Sequence, residues 1–152
     1  MNPFISDYKT RLQLWKQTRE DILQAATLDQ KIDLCLEFWQ QAPEEPVRIN
    51  WDDSTYWPGA WELIYENSYC VSCHSLGIAY TLMLADPDSF PNVQLKLIWD
   101  NVHHVQRIVA HTHGYFLNWS HVDKVSDAQL KHVIVQDTWE WRNKQWYSTR
   151  PK

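Results

Sequence analysis

At 152 residues the chain has room for one compact domain, which we expect to span residues 1–152. Its 14 Lys and Arg residues against 19 Asp and Glu residues give a net charge of −5. The sequence has no stripe of basic residues that could bind the phosphate backbone of a nucleic acid. No apolar run approaches the roughly 18 residues needed to span a bilayer, and Asp7, Lys9 and Arg11 interrupt any signal-peptide core. We therefore expect a cytoplasmic protein with no nucleic-acid partner and no membrane partner.

The cysteine count constrains the redox chemistry. Cys35, Cys70 and Cys73 cannot all pair within the chain, and an odd number without a secretory signal favours free thiols in a reducing compartment. Ten tryptophans are present alongside only three glycines. We expect most of the tryptophans to fill the core, while others line a groove, because Trp combines a large apolar face with one polar N–H.

Apolar residues at helical spacing predict two helices in the first forty residues. The first is indicated by apolar residues separated by charged ones: Phe4, Tyr8, Leu12, Trp15 and Ile22. Thr27 and Gln30 resemble a capping box that opens the second. Its apolar face consists of Ile32, Leu34, Cys35, Phe38 and Trp39. Pro43 and Pro46 end it, and Cys35 is expected to be a small buried hydrophobe.

The next part of the chain predicts a loop followed by two further helices. Residues 44–60 are turn-rich, and Pro58 suits the first turn of a short helix through GAWELIYE. The apolar segment CHSLGIAYTLMLA (73–85) has helical length, with Ser72 before it and Pro87 just beyond it. We expect a buried core helix whose N-terminus lies at or next to Cys73.

Alternation of apolar and polar residues indicates strands in the second half. Strands are predicted at 93–99 and 102–110, then a hairpin turn at HTHG (111–114) and a returning strand at 115–120. A helical turn around 126–130 precedes a final hairpin, 133–141 and 145–148, which folds at Asn143-Lys144. Helices first and an antiparallel sheet afterwards predict an α+β fold, with N-terminal helices and a core helix packed on the sheet.

The string NSYCVSCHSLG (67–77) suits several chemistries. CVSCH (70–74) fits the haem-attachment motif, but such proteins mature outside the cytoplasm and no export signal is present. A dithiol at a helix N-terminus would be thioredoxin-like, yet no proline between Pro91 and Pro151 can supply the cis-proline of that fold. A zinc site on the two cysteines would usually require a second paired motif. We therefore expect no cofactor and no metal.

The fourth chemistry is a nucleophilic cysteine. Papain-like enzymes carry C-G-[SA]-C-[WY], in which the second cysteine is the nucleophile at the start of a buried helix. CVSCH resembles this motif and places Cys73 in that role. The resemblance assigns Asn67, six residues earlier, to the oxyanion-binding amide. It assigns His104 or His103 to the base, and Asn118, followed by Trp119, to the residue that orients the base.

The spacing favours the transglutaminase-like branch of this superfamily. Only 31 residues separate Cys73 from His104 and 45 separate it from Asn118, whereas papain-like enzymes need roughly 130–150. In that branch a small residue commonly follows four positions after the cysteine, and Gly77 fits. Strand parity selects His104 over His103 if the hairpin loop before Asn118 has an odd number of residues. The other histidines are expected at the surface or in turns: His74, His111, His113, His121 and His132.

The resemblance implies a papain/transglutaminase-like enzyme without a cofactor. A helix N-terminus and an imidazolium both favour the thiolate, and Asn118 would hold the imidazole in one tautomer. Asn67 and the Cys73 backbone N–H would bind the oxyanion. The expected function is thiol-dependent acyl transfer or amide hydrolysis on a protein or peptide substrate. The principal alternative is an interaction domain without turnover that binds partners through a Trp-rich surface, and the less favoured one is a CxxC dithiol or metal site.

Overall fold

The computed structural model describes residues 2–46, 49–50, 52–67 and 69–150. The helices come first, in the order α1 (Tyr8–Gln24), α2 (Leu28–Gln40), α3 (Ala60–Glu66) and α4 (Val71–Ala85). The strands follow as β1 (Gln94–Asp100), β2 (Val105–Thr112), β3 (Tyr115–Leu117), β4 (Lys124–Ser126), β5 (Val133–Arg142) and β6 (Gln145–Ser148). Short 3-10 helices lie at Pro3–Ile5, Ser54–Tyr56 and Asp127–Gln129. This order confirms the predicted α+β fold.

The strands form one antiparallel sheet in the order β4-β3-β2-β1-β5-β6. The sequence analysis did not predict β4, which is only three residues long. One face of the sheet packs on α4 and contributes Leu95, Leu97, Ile108 and Ala110 to the main core. Alternate residues on the other face form a smaller cluster of Ile98, Val109 and Phe116. Burying one full face against a helix accounts for the alternating pattern of β1 and β2.

The core helix α4 is buried on nearly all sides. Its interior residues include Leu76, Ile78 and Leu82, each at 0% exposure. This burial confirms the core helix that the apolar segment predicted. It has 15 residues, and no helix within the described ranges is both long and apolar enough to cross a membrane.

Most of the described tryptophans belong to the core, as the composition predicted. The fully or nearly fully buried ones are Trp15, Trp39, Trp57, Trp139 and Trp146. Trp61 is half exposed, and Trp51 lies outside the described residues. The indole N–H groups of Trp15 and Trp39 both donate to the hydroxyl of Thr81, each at 3.0 Å. This hydroxyl satisfies two donors that would otherwise be buried without partners.

The capping box and the two hairpin turns that the sequence predicts are confirmed. The Thr27–Gln30 capping box is present at the start of α2. His113-Gly114 and Asn143-Lys144 form two-residue turns in which all four φ angles are positive, the conformation of the type I′ hairpin turn.

Two boundaries differ from the sequence prediction. Helix α4 begins at Val71, not next to Cys73, because Cys70 caps it and the Cys70 sulfur accepts the Cys73 N–H at 3.4 Å. Strand β2 begins at Val105 instead of residue 102. The Asp100 carboxylate accepts the N–H groups of Val102 and His103, which folds residues 101–104 into a turn.

Candidate active site

Two thiols meet at the N-terminus of the core helix. Cys70 occupies the N-cap of α4 and Cys73 its third position, and their sulfurs are in hydrogen-bond contact at 3.3 Å. Both residues are buried, with 4% and 6% exposure. The first turn of a helix presents unpaired N–H groups and a partial positive charge, so a sulfur at the N-cap lies where negative charge is favoured.

The hydrogen bonds around the two sulfurs favour the thiolate on Cys70. The thiol of Cys73 donates to it, and this hydrogen bond, helped by the backbone N–H groups of Cys73, Ile49 and Ser72, outweighs burial and lowers the pKa of Cys70 to about 6. The same hydrogen bond, together with burial, raises the pKa of Cys73. The sequence predicts the thiolate at Cys73. The hydrogen bonds at the N-cap favour Cys70 instead, because its sulfur accepts the Cys73 N–H.

Cys70 borders a cleft of about 450 Å³ between the start of α4 and strand β2. The helix side of the cleft is lined by Cys70, Val71 and Ser72, and the strand side by residues 105–108. The lining also includes the polar residues Glu44, Glu45 and Ser120. A molecule bound in the cleft would therefore lie beside Cys70, whereas Cys73 does not line the cleft.

Asn118 follows β3 directly and contacts the first turn of α4. Its side-chain nitrogen donates to the Val71 carbonyl and to the Ser75 hydroxyl, both at 2.9 Å, and its oxygen accepts the Val122 N–H. Asn118 is 2% exposed and has a positive φ of 71°. It therefore ties the first turn of α4 to the end of β3, and its side-chain amide is engaged by groups other than a histidine.

The structure does not bring His104 to Asn118. His104 is exposed in the 101–104 turn with a φ of 55°, and its ring lies 5.9 Å from that of Trp99. Ala110 pairs with Leu117, next to Asn118, while β2 begins five residues earlier at Val105, or about 16 Å of extended strand away.

The parity argument also fails to select His104. The β2–β3 loop has two residues, the even number that His103 would require, but both histidines precede the strand. His103 instead bonds the Asp100 carboxylate through Nδ1 at 2.8 Å. Within the described part of the chain, no histidine lies within hydrogen-bond distance of the Cys70 or Cys73 sulfur.

Asn67 caps the end of α3 in the left-handed conformation. Its amide nitrogen donates to the Phe4 carbonyl at 2.9 Å, and its side-chain oxygen is buried without a hydrogen-bond partner. Asn67 therefore anchors the N-terminal segment through its amide nitrogen. Among the described residues it has no hydrogen bond to either thiol.

His74 is buried, at 2% exposure, which corrects its predicted surface position. Burial lowers the pKa of His74, and its Nε2 lies 3.0 Å from the Pro43 carbonyl, to which it donates. The buried position therefore favours the neutral form of the His74 imidazole. No group of three or more His, Cys, Asp or Glu side chains among the described residues is arranged to hold a metal ion.

The sequence analysis missed the role of Cys70. An N-cap residue accepts a hydrogen bond from the backbone N–H two or three positions later, and Cys70 precedes Cys73 by three. The sequence signal was weakened by the preference of N-caps for Ser, Thr, Asp and Asn, which favoured Ser72 as the residue before the helix.

Solved structures share this architecture. No protein-family profile and no curated protein matches the chain. Legionella pneumophila LapG is similar over 92% of this chain and 80% of its own, with 13% identity and a TM-score of 0.67. Its calcium-bound form gives 13% identity, coverages of 93% and 80%, and a TM-score of 0.68. An EGTA-treated form gives 12% identity, coverages of 96% and 80%, and a TM-score of 0.67.

The chain has a papain/transglutaminase-like fold. LapG has this fold, and the similarity extends over nearly all of the chain, which confirms the fold class predicted from the Cys73 segment and its spacing. At 12–13% identity the likeness concerns the fold alone. The chemistry of this chain has to be argued from its own residues.

Proposed function

We propose that the protein cleaves or transfers acyl groups from a protein or peptide substrate through a thiolate at the N-terminus of α4. The observation that carries this proposal is the position of Cys70, whose sulfur receives the helix N–H groups and borders the cleft. A thiolate formed near neutral pH is the attacking species in such chemistry. The LapG likeness supports the proposal, because LapG is a transglutaminase-like cysteine protease.

In this proposal Cys70 attacks the substrate carbonyl and Cys73 stabilises the thiolate as a hydrogen-bond donor. The backbone N–H groups in the first turn of α4 point toward the N-terminus of the helix, which borders the cleft. The oxyanion of the substrate would develop there. The C–N bond of the substrate breaks, the amine leaves after the base protonates it, and a Cys70 thioester remains. Water or an amine then attacks the thioester and releases the Cys70 thiolate. His104 remains the proposed base. It directly precedes Val105, which lines the cleft, so its imidazole reaches the thiol only if the 101–104 turn changes conformation.

A specific observation favours the second candidate, an interaction domain without turnover. The Asn118 side chain is occupied by α4, and the residues of β2 that line the cleft are Val105, Gln106, Arg107 and Ile108. A papain-like triad would require a histidine beside the thiol. The cleft would then bind a peptide without cleaving it.

The test is cleavage of a proteome-derived peptide library under reducing conditions, with new termini detected by mass spectrometry. We expect the wild type to generate cleavage products and Cys70→Ala to abolish them. Cys73→Ala should retain cleavage, with its pH optimum shifted upward because the thiolate loses its donor. Cys35→Ala, far from the cleft, is the matched control and should cleave like the wild type.

Two results would overturn this assignment. Cleavage that survives Cys70→Ala but not Cys73→Ala would return the nucleophile to Cys73. A wild-type protein that cleaves no peptide in the library, while peptides are retained on the immobilised protein, would establish the interaction domain instead.

A further inference from the structure

We propose that Cys70 and Cys73 form a reversible intramolecular disulfide, which makes the start of α4 an oxidisable dithiol site. This inference goes beyond the proposed function and does not require it. It rests on the contact between the two sulfurs at 3.3 Å and on the access that the cleft gives to Cys70. Neither observation depends on a substrate.

The backbone geometry suits a disulfide. The two cysteines are three residues apart across the first turn of a helix, where side chains lie on adjacent positions of one face. The sulfurs have to approach by about 1.3 Å to reach the bond length of about 2.05 Å. Cys70 is at the N-cap with φ −85° and ψ 174°, and its sulfur, which accepts the Cys73 N–H at 3.4 Å, already lies over the first turn of the helix.

The two thiols should react with an oxidant in a fixed order. Cys70 has the lowered pKa and faces the cleft, so it meets a small oxidant first. Cys73 keeps its proton and does not line the cleft, so it acts as the resolving thiol.

With hydrogen peroxide as the oxidant, the chemistry balances in two steps. The Cys70 thiolate attacks one peroxide oxygen, the O–O bond breaks, and the hydroxide that leaves takes a proton to become water. The Cys70 sulfenic acid is then attacked by the Cys73 sulfur. The S–S bond forms, the S–O bond breaks, and the second oxygen leaves as water with the Cys73 proton. Two thiols lose two electrons and peroxide becomes two waters.

Cys35 provides an internal comparison. It is 0% exposed, and its sulfur contacts the Ile78 carbonyl at 3.6 Å. Burial raises the pKa of this thiol, so the thiolate that reacts with peroxide is absent. The structure therefore predicts that oxidation stops after two of the three thiols.

If the proposed function is correct, the disulfide has a consequence. It consumes the nucleophile, so peroxide would switch cleavage off and a reductant would restore it. This consequence rests on the proposed function, whereas the disulfide itself is tested without any substrate.

The experiment treats the full-length protein with a small excess of hydrogen peroxide, denatures it in iodoacetamide and measures the intact mass. We expect the wild type to lose two hydrogens and take up one alkyl group, at Cys35, and to take up three after dithiothreitol. Cys35→Ser should still lose two hydrogens and take up none. Cys73→Ser should instead gain one or two oxygens at Cys70.

Three results would overturn the inference. These are wild-type protein that keeps three alkylatable thiols, wild-type protein that gains oxygen at Cys70 while Cys73 remains alkylatable, and a dimer joined by Cys70 on a non-reducing gel. A normal disulfide with no peptide cleavage would defeat only the proposed function. Normal cleavage with no disulfide would defeat only this inference.

Discussion

Gly77 of α4 lies directly against the indole ring of Trp39 of α2. A Cβ atom at position 77 would overlap carbon atoms of that ring, which is itself only 1% exposed. The two helices approach as closely as they do because residue 77 has no side chain. The small residue four positions after Cys73 therefore has a packing role at the α2–α4 contact, whatever chemistry occurs at the helix start.

Gly77→Ala should destabilise the protein by about 1–3 kcal/mol, because the indole has no free space into which it can shift. Chemical denaturation measures the change. Gly59→Ala is the control: an added Cβ there meets Glu62 at 3.5 Å, an ordinary contact, and the cost should stay below about 1 kcal/mol. Equal losses at both positions would contradict the packing argument.

Thr81→Val should be more damaging than its similar shape suggests. It removes the hydroxyl that accepts from both Trp15 and Trp39, leaving two buried indole N–H groups without partners. Each unsatisfied donor costs about 1–3 kcal/mol, so for two donors we expect a loss of roughly 2–6 kcal/mol by denaturation. Thr81→Ser keeps the hydroxyl and should cost clearly less. A Val variant as stable as the Ser variant would show that the indoles find other acceptors.

The alkylation of Cys70 should follow a pH profile with an inflection at about 6. Because the thiolate is the reactive form, the rate should be high at pH 7 and should fall as the pH drops below that value. Cys73→Ala removes the main donor, so the inflection should move up toward the ordinary thiol range near 8.5. Iodoacetamide labelling followed by peptide mass spectrometry reads out each cysteine separately. An inflection that stays in place in Cys73→Ala would show that the helix N–H groups alone lower the Cys70 pKa.

Asn118→Asp should weaken the attachment of α4 to the sheet. A carboxylate cannot donate to the Val71 carbonyl or the Ser75 hydroxyl, and it sets a negative charge against that carbonyl. We expect a loss of roughly 2–4 kcal/mol at pH 7, with partial recovery at acid pH as the carboxyl is protonated.

The matched control for this substitution is Asn143→Asp. Asn143 is exposed in a turn with a φ of 50°, a conformation that Asp tolerates, so its stability should change little. If Asn118→Asp were equally mild while altering only peptide cleavage, Asn118 would act on the chemistry and not on the helix.

Features encoded within a few neighbouring residues were predictable from the sequence. The Thr27–Gln30 capping box and the Asn143-Lys144 turn depend on local backbone conformation, and both are present. The buried helix at 73–85 followed from its unbroken apolar run, and β1 from alternation of period two. The order of helices and strands predicted the α+β fold for the same reason.

The arrangement of the site was decided by contacts between distant parts of the chain. Asp100 folds residues 101–104 into a turn and so starts β2 at Val105, which removes His104 from the strand that alternation had assigned to it. A strand pattern records which side chains face the core, but not where hydrogen bonding to a neighbour begins or ends.

The amino-acid sequence was enough to predict two thiols at the start of an apolar helix, since their spacing and the apolar run are local properties. The difference between the two thiols depends on the folded chain. Cys70 accepts the Cys73 N–H and lines the cleft formed with β2, whereas Cys73 is not among the residues that line it. Two cysteines three residues apart look alike in the sequence. The folded chain distinguishes them because a sulfur's pKa depends on the donors, the burial and the charge that surround it in space.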